Sequence, residues 1–142
     1  MAEFGNAGKA DACISLKPLG YVESPYRTPE QAPRQGFTSD ILSKVVVLPE
    51  YMAGLDGLEG IEKLVIIYWA HLSKRDALMM VKDGRACGIF STRSLERPNP
   101  IGICTVEVVE LEGNILTVRG LDALNKSPVL DIKPYVENPR LR

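Results

Sequence analysis

The apolar residues of this chain come in short runs, rich in β-branched and aromatic side chains, that are cut apart by glycine and proline. Runs of that length and composition read as strands bounded by turns. Residues 14–23 read as a first strand with an irregularity at Pro18, and residues 24–36, which hold three prolines, as a loop. Residues 43–48, centred on Val45-Val46-Val47, and residues 64–71 read as the next two strands. Between them Tyr51, Leu55 and Leu58 have helical spacing, which admits one short helix within 49–63, weakened by Gly54, Gly57 and Gly60. Residues 73–82 read either as a short helix or as an irregular crossing.

The second half is plainer. Residues 103–111 and 115–120 read as strands joined by Glu112-Gly113-Asn114, residues suited to a hairpin turn. Leu116 and Val118 share one face of the later strand, Thr117 and Arg119 the other. Residues 125–128 form another turn, and residues 129–133 a short strand with Leu130 and Ile132 inward and Asp131 and Lys133 on the opposite face. Short strands at roughly even spacing predict a mainly β, single-domain small β-barrel or curled sheet with few short helices. The barrel domain is placed at residues 14–136, between a polar N-terminal tail at 1–13 and a C-terminal tail at 137–142.

A net charge of −1 over 142 residues confines any RNA contact to a local basic patch. No apolar run reaches the length needed to span a bilayer, and residues 1–12 lack the apolar centre of a secretory signal. The three cysteines, Cys13, Cys87 and Cys104, are odd in number and lack C-x-x-C spacing, so neither a disulfide framework nor a zinc site is expected. Each reads as a small buried hydrophobe, and a cytoplasmic location is expected. Neither a membrane nor DNA is an expected partner.

Residues 88–102, Gly-Ile-Phe-Ser-Thr-Arg-Ser-Leu-Glu-Arg-Pro-Asn-Pro-Ile-Gly, place Arg93 and Arg97 just ahead of a loop stiffened by Pro98 and Pro100. Two prolines in three residues exclude helix there and disfavour a central strand. A stiff loop bearing guanidinium groups suits an anionic or carboxylate-bearing ligand.

Those residues, with Gly120-Leu-Asp122 and Pro128-Val-Leu-Asp-Ile-Lys-Pro-Tyr135, resemble the TrmO-like (TsaA-like) methyltransferase family. So do Lys17-Pro-Leu-Gly-Tyr-Val-Glu-Ser-Pro-Tyr26, Pro33-Arg-Gln-Gly36, Leu58-Glu-Gly-Ile-Glu-Lys-Leu64 and Tyr68-Trp-Ala-His71. The resemblance runs from Lys17 to Tyr135 in the family's order. It implies a non-Rossmann β-barrel, S-adenosyl-L-methionine (SAM) as methyl donor, a homodimer, and tRNA as substrate, methylated on the exocyclic amine of threonylcarbamoyl-adenosine beside the anticodon. It implies a cofactor site made of Pro33, Arg34 and Gln35, His71 with Leu72, Arg93, Ile103, and Asp122, Ala123, Leu124 and Asn125. Arg97, Asn99, Asp131, Lys133 and Tyr135 are implied as supports of the pocket or contacts to the acceptor. No metal is implied, and no catalytic residue is assigned.

Longer members of the family carry a further C-terminal domain, and here Leu72 follows His71 where a polar residue is common. Each candidate also has a plainer reading. His71 would be a satisfied packing residue. Arg93 and Arg97 would cap turns or pair with Glu96, Asp131 and Lys133 would be an exposed strand pair, and Asp122 and Asn125 would serve a turn. Two other functions stay open: a SAM-binding regulatory module without RNA-modifying activity, and a methyltransferase for a non-RNA acceptor.

Overall fold

A computed structural model describes residues 12–33 and 40–137. Among the described residues there are eight strands: β1 (Gly20–Glu23), β2 (Leu42–Val47), β3 (Lys63–Trp69), β4 (Met79–Lys82), β5 (Arg85–Gly88), β6 (Ile101–Glu112), β7 (Ile115–Arg119) and β8 (Pro128–Pro134). Six of them close into a barrel in the order β1-β2-β7-β6-β3-β8, every pair antiparallel. The expected mainly β barrel is the observed fold.

Alternation builds the core. Val45 and Val47 in β2, Leu64, Ile66 and Tyr68 in β3, Cys104 and Val106 in β6, and Leu116 and Val118 in β7 are all buried, while their neighbours in sequence are more exposed. Closing the sheet removes its edges and lets every inward side chain meet others across the lumen. Leu55, from a 3-10 helix at Pro49–Leu55, closes one end, and Leu121 and Ala123 fill the other.

Two register shifts bend the sheet. One in β6 passes over Val109, where Val108 faces Val118 but Glu110 faces Thr117. The other, in β8, passes over Leu130, where Ile67 faces Asp131 but Tyr68 faces Val129. An extra residue in one strand kinks it and raises its twist, as a barrel wall requires. The second shift corrects an expectation: Val129 is the fully buried residue of β8, and Leu130, caught in the bulge, is not inward. Ile132 does pack against the core.

Other differences have local causes. The first strand begins at Gly20, not at residue 14. Pro18 offers no backbone donor, and Ile14 and Leu16 are exposed with no wall to pack on. Residues 73–82 end in a strand, because β4 and β5 form a separate hairpin. Its two-residue turn, Asp83-Gly84, has positive φ at both positions, the geometry that matches strand twist. The short helix within 49–63 is real but of 3-10 type. Cys104 is buried and Cys87 half-buried, whereas Cys13 is exposed, so the reading of all three as buried fails at Cys13. Residues 1–11 and 138–142 of the two expected tails lie outside the described residues. No helix among those described is long and apolar enough to cross a membrane.

Candidate functional site

The antiparallel order sends three connections to one rim of the barrel: residues 24–41 after β1, 70–100 after β3, and 120–127 after β7. These segments carry most of the residues implied by the resemblance. Pro33 lies in the first, and Arg34 and Gln35 fall outside the described residues. His71, Leu72, Arg93, Arg97 and Asn99 lie in the second, and Asp122, Ala123, Leu124 and Asn125 in the third.

The third segment is held from the side. The Asn125 N–H donates to the Tyr26 carbonyl at 2.7 Å, and the Lys126 N–H to the Val22 carbonyl at 2.7 Å. The Ser24 hydroxyl donates to the Ala123 carbonyl at 3.0 Å, and the Asn125 side-chain oxygen accepts from the Ser24 N–H at 3.1 Å. These bonds extend a seam where β1 and β8 themselves share only two register pairs. Asn125 therefore does serve a turn, as its plainer reading had it.

Asp122 is different, because its side chain turns back over the barrel mouth. The Tyr68 hydroxyl donates to Asp122 Oδ1 at 2.8 Å. The Cys104 thiol donates to the Gly120 carbonyl at 3.2 Å, and Cys104 stands beside the same carboxyl group. Burial raises the Asp122 carboxyl above its ordinary value. The Tyr68 hydroxyl, the neighbouring Cys104 thiol, its own backbone N–H and the positive charge of Arg93 oppose that rise. Burial likewise pushes the Cys104 thiol up to about 12, so it stays protonated and donates. The Arg93 charge thus acts on the Asp122 carboxyl, as the weakest of these influences, from the connection on the same rim.

Arg93 owes its place to Arg97. The Arg97 guanidinium donates to the carbonyls of Thr92 at 2.9 Å and Ser94 at 3.1 Å, gripping the backbone on both sides of residue 93. Its charge also lies 5.9 Å from the Phe90 ring centre. Upstream, Ile89 is almost wholly buried and anchors this stretch, and the Thr92 hydroxyl donates to the Ile89 carbonyl at 2.8 Å. Arg97 is therefore a turn clamp, and no ion pair with Glu96 is found among the described residues. Asn99 accepts from Arg75 at 3.3 Å, while Arg75 also donates to the Pro98 carbonyl at 2.9 Å and lies over the Trp69 ring at 4.9 Å. The proline loop is thereby pinned to the end of β3.

His71 is exposed at the start of the second segment, and partial burial of its ring lowers it from the ordinary histidine value. Leu72 beside it is exposed. Ile103 points outward from β6, half exposed, on the outer wall rather than among Tyr68, Cys104 and Asp122.

Three candidates are not brought to this rim. Asp131 faces Ile67 midway along β3, Lys133 faces Val65, and the Tyr135 N–H donates to the Lys63 carbonyl at the far end. Asp131 and Lys133 form an exposed ion pair at 2.8 Å, which matches their plainer reading. Conversely, Tyr68 carried no site role in the sequence reading. The local signal for it is Gly102, directly opposite Tyr68 in the β3–β6 register, where a Cβ would sit 2.6 Å from two ring carbons.

Comparison with known proteins identifies the family. The family model of the tRNA-methyltransferase O N-terminal domain matches residues 21–139. A relative from Methanothermobacter thermautotrophicus, named "Probable S-adenosyl-L-methionine-binding protein", is 47% identical over 131 residues, covering 91% of this chain and 95% of that protein. An Archaeoglobus fulgidus relative named "S-adenosyl-L-methionine-binding protein" is 48% identical over 122 residues, 84% of this chain and 88% of that one. Among solved structures, TrmO from Pseudomonas aeruginosa matches with a TM-score of 0.73 at 31% identity, covering 87% of this chain. The match takes in 56% of that protein, so the present chain spans little more than half its length.

Proposed function

Because the chain belongs to the family defined by the tRNA-methyltransferase O N-terminal domain, we propose that it is a SAM-dependent methyltransferase acting on tRNA. The acceptor we assign is the exocyclic amine of threonylcarbamoyl-adenosine next to the anticodon. The observation that supports the reading is that the connections bearing Arg93 and Asp122 lie at the same rim of the barrel, one carrying a cation and the other a carboxylate. That pair fits a zwitterionic amino acid joined to a ribose. Arg93 pairs with a carboxylate, and Asp122 accepts from a hydroxyl or amine. His71, Leu72, Leu124, Asn125 and Pro33 are the other rim residues of the proposed cofactor site.

The bound cofactor supplies an activated methyl group on a sulfonium, with a neutral thioether as leaving group. The protein's share is therefore orientation, which accounts for a large part of the barrier reduction in such reactions. Arg97 and Arg75 hold the rim segment that presents Arg93, and the Ser24–Ala123 and Asn125–Tyr26 bonds hold the segment that presents Asp122. A dedicated nucleophile is not required.

A specific observation favours a second reading, a SAM-binding module without RNA-modifying activity. The chain matches nearly the full length of two relatives that are named only for SAM binding. Two measurements separate these readings. Calorimetric titration with SAM should give saturable heat, and its absence at millimolar SAM, together with no thermal shift, rejects both. Incubation with SAM and tRNA from a strain lacking the protein should yield methylated nucleoside. Binding without product, in the presence of the homodimer proposed for this family, leaves the module reading standing.

A further inference from the structure

We propose that Tyr68 is a positioning residue of the rim site: its hydroxyl commits one oxygen of the Asp122 carboxylate to the barrel and leaves the other for a donor on the ligand. The inference rests on the reading of Asp122 as a cofactor-binding group and deepens it.

Three features build the device. Tyr68 is 2% exposed in the last turn of the lumen, so its ring has no freedom to wander. Gly102 removes the side chain that would otherwise stand where the ring lies, and this lets the tyrosine cross β6 toward the segment after β7. At the end of that span the hydroxyl meets Asp122 Oδ1 at 2.8 Å. A phenol in a closed barrel must satisfy its hydroxyl, and a half-buried carboxylate must satisfy its oxygens. Each meets the other's need, and the carboxylate's direction becomes a property of the barrel rather than of a loop. A site whose groups are held from behind by buried partners binds without first having to order them.

The groups facing Asp122 are Tyr68 from β3, Cys104 from β6 and Arg93 from the segment before the proline loop. Tyr68, Cys104 and Arg93 all favour the charged carboxylate. Removing the Tyr68 hydroxyl must therefore move Asp122 ionisation to higher pH, a change that a purely packing role for the ring would not produce.

The test uses the full chain and its Tyr68→Phe variant, which keeps the ring. The Asp122 carboxyl, followed by carbon NMR without ligand, should titrate at higher pH in the variant. SAM titrations at pH 7 should show affinity reduced about tenfold, with the acid limb of binding moved upward. Unchanged Asp122 titration overturns the proposal whatever happens with SAM. A shifted titration with unchanged SAM affinity also overturns it, but leaves the cofactor reading intact. No SAM binding by the wild-type chain overturns both, and is thereby distinguished. Should the variant fail to fold, the wild-type protein labelled at tyrosine Cζ answers the question: the Tyr68 resonance must follow Asp122 titration, and its indifference rejects the proposal.

Discussion

The barrel and the long connection from residue 70 to residue 100 are built on opposite terms. In the barrel, successive residues alternate between lumen and outer wall, and the lumen is filled by side chains from all six strands. In the connection, Ala70, Ile89 and Pro100 are buried and Leu95 packs against the core, while Leu72, Leu78, Met79, Val81 and Phe90 are all more than half exposed. Much of the remaining order of the connection comes from polar clamps: Arg97 on the carbonyls of Thr92 and Ser94, Arg75 on Pro98 and Asn99. The difference teaches that the wall and the rim of this chain are held by different forces. Burial holds the wall, and hydrogen bonds aim the rim.

The sharpest way to break that comparison is to empty a position in each region. Leu64→Ala, inside the barrel, should cost about 2–5 kcal/mol in denaturant unfolding. Ile89→Ala should cost less globally and instead lower amide protection in β4 and β5, read by hydrogen exchange. Equal global losses would mean that the connection is an integral part of the barrel's cooperative unit.

A smaller effect on the fold, but a larger one on binding, is expected at the clamp. Arg97→Ala frees two carbonyls that water can reach, so the unfolding midpoint should move by the equivalent of about 1 kcal/mol or less. SAM affinity should nevertheless fall several-fold, because Arg93 loses its fixed approach. A variant that binds normally would show that Arg93 is held by other means.

The smallest effect runs in the opposite direction. Burial raises the folded-state value of Asp122 above that of the unfolded chain. The native state then holds the proton more firmly, so this group's contribution is most favourable at low pH and is lost as pH rises through the raised value. At pH 7 the wild type carries the penalty of a half-buried charge. Asp122→Asn keeps an acceptor for the Tyr68 hydroxyl and removes that penalty, so its melting temperature should be modestly higher at pH 7, with the gain shrinking toward pH 3. The same variant should bind SAM poorly. A lower melting temperature at pH 7 would contradict the assignment of Asp122 as a strained site residue.

Most of the wall was legible from local pattern. The β-branched run in β2, the alternation in β7 and the Gly113-Asn114 turn each specify a strand or a hairpin within a few residues. The β4–β5 hairpin was missed: Asp83-Gly84 is a turn pair, but the strands are four residues long and largely exposed, so alternation gives almost no signal around it. The bulge at Leu130 was not legible. A one-residue slip inverts which face each side chain takes, and only pairing with β3 decides where the slip falls.

The amino-acid sequence by itself determined that this chain curls strands into a barrel, because periodicity and turn chemistry act over a handful of neighbouring residues. It also supplied the residues of the rim, through their resemblance to a family. Only the tertiary structure decided that Tyr68, 54 residues away from Asp122, is the group that meets it, and that Asp131, Lys133 and Tyr135 stand elsewhere. Barrel closure joins strands distant in sequence, and the space over Gly102 becomes visible only once β3 and β6 are in register.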